Sequence, residues 1–456
     1  MRRIAAASAL ALLLATGAAS ATPPGTAAAD STTSAIPNWP PGTEVLHFEN
    51  LEGVILVSAS LRGANGRDTT GLFVLDTGAG FLALDHALAR TLGLADDTTA
   101  TAGVGLVARP VPRFTLGGLQ FDQVSPVLTV DGGVIRRVTD RPVLGLIGGS
   151  VLADRIVWLD YRAGIGALVP PIERAGTRAD SAHAGSAEDV DGSHADSAHA
   201  AGPVRPAFLS VRAVSVPFRL EGGGKILVRA RAAAPRPPRF GRVLTLILDT
   251  GATKSVFFEG ALAARVPQAR SWRSLRGLTA PTLIGTSEAW MVRVPEIELE
   301  GTGGPVRARG MDAAVIRSEL ETVLSQAVGE PVHGLLGYSF LKGYRVALDY
   351  PGRTLWLDPI PGTGDERPHE YSHVGTQLER VAGAARVVAV AQGSPAARAG
   401  IAPGDEVVAI DGEPATAFDV VTLARRLEGP PGSRVTLTVR RGSHERTYRL
   451  VRRQLL

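Results

Sequence analysis

Two four-residue segments carry the residue types that most plainly invite chemistry: Asp76-Thr77-Gly78-Ala79 and Asp249-Thr250-Gly251-Ala252. Each follows an apolar, strand-like run (residues 73–75 and 246–248) that would bury the carboxylate and limit water around it. One such tetrapeptide can be an ordinary strand-end turn, because Asp and Gly favour turns. A matched pair invites a chemical reading. Two carboxylates held close cannot both ionise easily, so they share a proton, and one serves as base while the other serves as acid. Such a pair could activate a water without a metal or a covalent nucleophile. The two titrate as a unit, so the proton belongs to the pair. Gly78 and Gly251 permit the sharp turn that brings amide N–H groups to the carboxylates, and Ala79 and Ala252 are small enough for the two loops to approach.

The surrounding segments repeat in order. Residues 71–94 (GLFVLDTGAGFLALDHALARTLGL) are followed by 143–168 (VLGLIGGSVLADRIVWLDYRAGIGAL). Residues 244–266 (LTLILDTGATKSVFFEGALAARV) are followed by 332–357 (VHGLLGYSFLKGYRVALDYPGRTLWL). In each half an apolar strand ends at the aspartate, and a short helix follows, with Asp85 a candidate N-cap in the first. Strand-like segments come next, then Gly-Leu-apolar-Gly, a short helix and a strand ending in Leu-Asp-Tyr. The second half adds an amphipathic helix expected over 315–328.

This pairing resembles the retropepsin-like aspartic proteases, and two halves in one chain look like the bilobal pepsins, in which each lobe contributes one aspartate. The resemblance implies a mainly β fold with two tandem acid-protease lobes related by a pseudo-twofold axis. It also implies Asp76 and Asp249 as the catalytic pair of an endopeptidase, with Thr77 and Thr250 hydrogen-bonding across to the opposite lobe. No cofactor and no metal are implied. A hairpin covering the substrate is expected at 103–110 or 276–286, and neither stretch carries the tyrosine that pepsins have there. The rival reading is a non-catalytic peptide-binding or scaffold protein that keeps the protease fold; a further one pairs each half with its counterpart in a second chain.

The chain starts Met1-Arg2-Arg3, continues through an Ala/Leu-rich run and reaches Ala19-Ser20-Ala21, the pattern of a secretory signal over residues 1–21. Export to the periplasm or medium is expected, with no stable membrane insertion after cleavage. Residues 22–44 read as a flexible lead-in, 45–170 as the first lobe, 171–206 as a disordered Ala/Ser/Asp/His linker and 207–362 as the second lobe. The linker's His183, His194 and His199 read as solvated rather than metal-binding. Its low-complexity part, about 34 residues, reaches roughly 5–6 Å × √34, or about 30–35 Å. That is comparable with a domain diameter, so a monomer with lobes paired within one chain is expected.

Residues 367–456 change pattern. The stretch 393–414 (GSPAARAGIAPGDEVVAIDGEP) resembles the core of a bacterial PDZ domain, an α+β module. In that family an extended peptide adds as a strand beside a helix, and its terminal carboxylate meets amides of a glycine-containing loop. The resemblance implies a peptide ligand held by Val374, Gly375 and Thr376 on one side and by Val420, Leu423 and Leu427 on the other. Polypeptides are therefore the expected partners.

Composition narrows the alternatives. The 456 residues are 45% hydrophobic and 20% charged, with a net charge of +4 and no cysteine. Disulfides, thiol catalysis and iron–sulfur clusters are excluded. The positive charges form no long block, which argues against nucleic acid as a partner.

Overall fold

A computed structural model describes residues 37–95, 104–106, 109–172, 203–221, 223–234, 237–282, 284–361 and 367–456. The signal-like segment, most of the lead-in, the His-bearing tract and part of the 103–110 hairpin candidate lie outside the described residues.

The chain is mainly β, as its patterning implies. In the first lobe Val54–Arg62 (β1) runs antiparallel to Asp68–Leu75 (β2), with Leu56 opposite Val74. β2 closes with Phe73, Val74 and Leu75, all buried, and the next residue is Asp76. Such an unbroken apolar run suits a strand covered on both faces. Helix Gly133–Thr139 (α1) leads into Val143–Ile147 (β3), which lies parallel to β2.

The second lobe repeats this plan. Lys225–Ala232 (β4) runs antiparallel to Leu244–Leu248 (β5), with Leu227 opposite Ile247. β5 leads into Asp249, and Gly334–Leu336 (β6) lies parallel to it. Between the lobes, a six-stranded sheet takes three strands from each half. Ile156–Asp160 and Tyr344–Asp349 meet at its centre, with Trp158 opposite Ala347. This shared sheet and a continuous apolar core couple the halves.

Two segments differ from expectation. The helix expected over 315–328 begins only at Leu320, because Val306–Arg317 is a strand. Its β-branched Val315 and Ile316 pair with Phe257 and Phe258, where a buried strand suits them. Conversely, residues 133–139 form a helix within a stretch expected to be strand-like. Val134, Ile135 and Val138 share one buried face there, and Asp140 ends the helix at φ +54°.

The C-terminal module is a sheet whose edge strand is Thr376–Val381 (β7), followed by Ala384–Val390, Glu406–Ile410, Arg434–Arg441 and His444–Val451. Helix Val420–Arg426 (α2) is capped by Asp419, whose carboxylate accepts the Thr422 N–H at 2.7 Å. The module rests on both lobes. α1 packs against β7 and α2, and Gln392 donates its backbone N–H to Arg276 O at 2.8 Å on the second lobe. Among the described residues no helix is long and apolar enough to cross a membrane.

Candidate active site

β2 and β5 end side by side across the pseudo-twofold axis, and that placement brings Asp76 and Asp249 together. Both are fully buried, and their carboxyl groups lie within hydrogen-bonding reach of each other. Asp76 Oδ1 accepts the Gly78 N–H at 2.8 Å and the Ala79 N–H at 3.2 Å. Asp249 Oδ1 accepts the Gly251 N–H at 2.8 Å, and Ala252 adds a second backbone donor. Among the described residues no donor from outside the pair reaches Oδ2 of either aspartate. One oxygen of each carboxyl is thus held by its own loop, while the other is available to share a proton, bind a water or meet a substrate.

Thr77 and Thr250 lock the loops across the lobes. The Thr77 hydroxyl donates to Leu248 O at 3.1 Å and accepts the Thr250 N–H at 3.1 Å. The Thr250 hydroxyl donates to Leu75 O at 2.8 Å and accepts the Thr77 N–H at 3.1 Å. Gly78 is required by proximity, since a Cβ there would stand 2.6 Å from Asp249 Cγ. The Gly-Leu-apolar-Gly strands have the same origin: a Cβ at Gly145 would lie 2.1 Å from Ala83 O, and one at Gly334 2.0 Å from Val256 O.

Burial pushes the Asp76 carboxyl up to about 6, while the hydrogen bond from Asp249 and the Gly78 and Ala79 amides pull it back. Burial, then the Asp76 charge, raises Asp249 well above the usual carboxylate range. Both shifts favour the protonated form, so the pair holds a proton to higher pH than two exposed carboxyls would.

Three neighbours escaped the reading of the sequence. Tyr161 and Tyr350, the tyrosines of the two Leu-Asp-Tyr segments, are buried, and their hydroxyls have no hydrogen-bond partner among the described residues. Burial and the Asp249 charge push Tyr161 up; burial and the Asp76 charge do the same to Tyr350. The repeated Leu-Asp-Tyr was the available signal. The third is Lys225, only 2% exposed at the start of β4.

Of the candidate hairpins, 276–286 spans the turn between Ser274–Thr282 and Gly285–Leu299, and 103–110 is described only in part. The active-site loop continues to Lys254, whose ammonium pairs with Asp312 at 2.6 Å and with Glu370 ahead of the C-terminal module.

The residues expected to wall a peptide groove lie under α1, which packs on β7 and α2. Val374, Thr376, Val420, Leu423 and Leu427 are all buried, and Ile135 and Val138 of α1 join the four apolar ones in one cluster. Asp140, at the end of α1, accepts from Arg380 at 2.9 Å and from the Val420 N–H at 3.1 Å. Gly375 sits at φ +94°, and its N–H, the amide expected to meet a ligand carboxylate, donates to His373 Nδ1 at 2.9 Å. Among the described residues no three His, Asp or Glu side chains gather as a metal ion would require.

Residues 240–340 match the family model described as aspartyl protease, and residues 386–441 match that of the PDZ domain. Carboxyl-terminal-processing peptidase 2, chloroplastic, of Arabidopsis thaliana is 39% identical over 69 residues, or 15% of this chain and 13% of that protein. Among solved structures, the photosystem II D1 C-terminal processing protease shows 26% identity and a TM-score of 0.19 over 21% of this chain and 25% of that one. The PDZ domain of a carboxy-terminal protease from Vibrio cholerae, in complex with peptide, shows 21% identity and a TM-score of 0.17 over 18% and 94%. The aspartyl protease match contains Asp249 and the PDZ match lies behind it, so this chain carries an aspartyl protease segment in its second lobe and a PDZ domain on the C-terminal side of it.

Proposed function

We propose that this protein is an exported aspartic endopeptidase in which Asp76 and Asp249 together activate one water. The observation that carries the reading is the pair of buried carboxyls, each held at Oδ1 by its own loop and, among the described residues, without a donor from outside the pair at Oδ2. The ionised member takes a proton from the water as its oxygen attacks the peptide carbonyl carbon, and the protonated member gives its proton to the carbonyl oxygen. The tetrahedral intermediate then collapses: the C–N bond breaks, the amine leaves with a proton from one member of the pair, and a hydroxyl of the intermediate returns its proton to the other, which leaves a carboxylic acid and a singly protonated dyad. Burial supports this division of labour, because it favours the protonated form of each carboxyl and so helps the dyad retain a proton.

In this reading the PDZ domain binds polypeptide segments, and the chain works as a monomer with its lobes paired internally. The test is cleavage of a peptide library by the purified protein, with Asp76→Asn and Asp249→Asn as controls. Each substitution should abolish nearly all cleavage and leave the circular dichroism unchanged. Cleavage that persists in both folded variants would refute the dyad, and a wild type that binds peptides but never cuts them would favour the scaffold reading.

A further inference from the structure

Lys225 occupies a place that its counterpart in the other lobe fills with a hydrocarbon. The β4–β5 register sets Leu227 opposite Ile247 and Ala230 opposite Leu244, and continued by two residues it sets Lys225 opposite Asp249. The β1–β2 register sets Leu56 opposite Val74, and the same continuation sets Val54 opposite Asp76. Cross-strand partners share a face of the sheet. The two hairpins are thus equivalent, yet one brings a valine to its aspartate and the other a lysine.

An ammonium that is 2% exposed is costly unless opposite charge compensates it. Burial lowers the pKa of this ammonium below the usual lysine value, and the opposing charge comes from both lobes, since Asp76 and Asp249 each favour its protonated form. The other titratable groups near the dyad are the phenols of Tyr161 and Tyr350, which burial keeps neutral. Glu221, opposite Lys225 in the hairpin ahead of β4, has a 41% exposed side chain that faces Arg219. Among the described residues, the buried charges near the dyad are therefore two carboxyls and one ammonium. With one shared proton on the carboxyls, that cluster is neutral. Without the lysine, the same ionisation would leave a lone negative charge in a buried site.

We propose that Lys225 is a positioning residue of the dyad, a built-in cation that keeps the buried carboxyl pair singly ionised at the pH where it works and makes its two members inequivalent. The proposal rests on the dyad reading above.

The test is the pH profile of kcat/KM for the full-length protein with Lys225→Met and Lys225→Arg, measured on a peptide that the wild type cleaves. A nearby positive charge lowers both ionisation steps of the pair, so its removal should move both limbs of the bell to higher pH, by about one unit or more. Lys225→Arg should keep the wild-type limbs. A residue that only filled space would change stability and leave the limbs in place, and that result would overturn the proposal. So would a folded Lys225→Met variant that is inactive at every pH, since the lysine would then be needed for the chemistry itself. Should Lys225→Met fail to fold, Lys225→Gln removes the same charge with a polar side chain, and the same shift is required of it. Asp76→Asn separates the two ideas: retained cleavage there defeats the dyad, whereas unmoved limbs in Lys225→Met with an inactive Asp76→Asn defeat only the role of the lysine.

Discussion

Asp140 and Arg380 form an ion pair at 2.9 Å between the end of a first-lobe helix and the edge strand of the PDZ domain. Their side chains are 24% and 15% exposed, so little water screens the contact. Asp140 also accepts the first amide of α2, and Arg380 also donates to Phe418 O at 2.6 Å. One carboxylate thus fastens α1 over both walls of the groove in which a peptide would lie. A ligand that adds to β7 has to displace that helix first, and its apparent affinity falls by the cost of doing so.

Asp140→Gly suits the positive φ of this position while removing the carboxylate. Loss of charged hydrogen bonds should weaken the docking of α1 by about 1.5–3 kcal/mol. A labelled peptide with a free C-terminus should then bind the full-length variant about ten- to a hundredfold more tightly in fluorescence anisotropy. Equal affinity in variant and wild type would mean that α1 does not compete with ligand.

The reciprocal threonines give a second prediction. Thr250→Val keeps the shape but strands Leu75 O and the Thr77 N–H, at about 1–3 kcal/mol for each buried group left unpaired. Thr250→Ser retains the hydroxyl and should recover most of this loss. Denaturant unfolding of both variants, read beside their cleavage rates, checks it: stability and activity should fall together in Thr250→Val and return in Thr250→Ser.

The aspartates and their loops were legible because the chemistry forces a motif. A turn that folds amides onto a carboxylate needs Gly78 and Gly251, and duplication writes the motif twice. The two-lobed plan followed from the same repeat. The cover on the groove was hidden, since α1 carries Val134, Ile135 and Val138, β-branched residues that favour strand until a partner surface selects one face. That surface is remote in the chain: Arg380 is 240 residues from Asp140. Lys225 belongs to no motif in the sequence. Only the pairing of β4 with β5 shows that it faces an aspartate.

His373 predicts how stability responds to acid. Its ring is 1% exposed, and burial, aided by the nearby Arg367 charge, lowers its pKa from 6.5 to about 4. Between those values the unfolded chain binds a proton that the folded chain refuses, so stability is lost as pH falls from about 6.5 toward 4. The contribution of this one group is about 3 kcal/mol. Burial of Asp76 works in the opposite direction, since its raised pKa favours the folded state at low pH. The difference between wild type and His373→Asn isolates the histidine. Urea unfolding near neutrality and near pH 4 should show a steeper acid loss in the wild type than in the variant, and parallel losses would mean that His373 is already protonated in the fold.

Lys254 ties the active-site loop to the PDZ domain. It lies five residues beyond Asp249, and its ammonium meets Asp312 of the second lobe and Glu370 of the segment entering the PDZ domain. Burial alone would lower its pKa, yet the two carboxylates raise it well above the usual lysine range. Asp312 accepts the Tyr371 hydroxyl at 2.5 Å as well, so the segment entering the PDZ domain is held at two successive residues. Lys254→Met leaves two buried carboxylates facing each other and should cost about 3–5 kcal/mol. Adding Glu370→Gln removes one of them and should restore part of the loss, a coupling that a double-mutant cycle reads directly. Because the network starts in the loop that carries Asp249, the single variant should also lower cleavage, and the double variant should recover stability and activity together. Additive losses in the cycle would mean that Lys254 and Glu370 act independently, and the link between loop and domain would then have to run through other contacts.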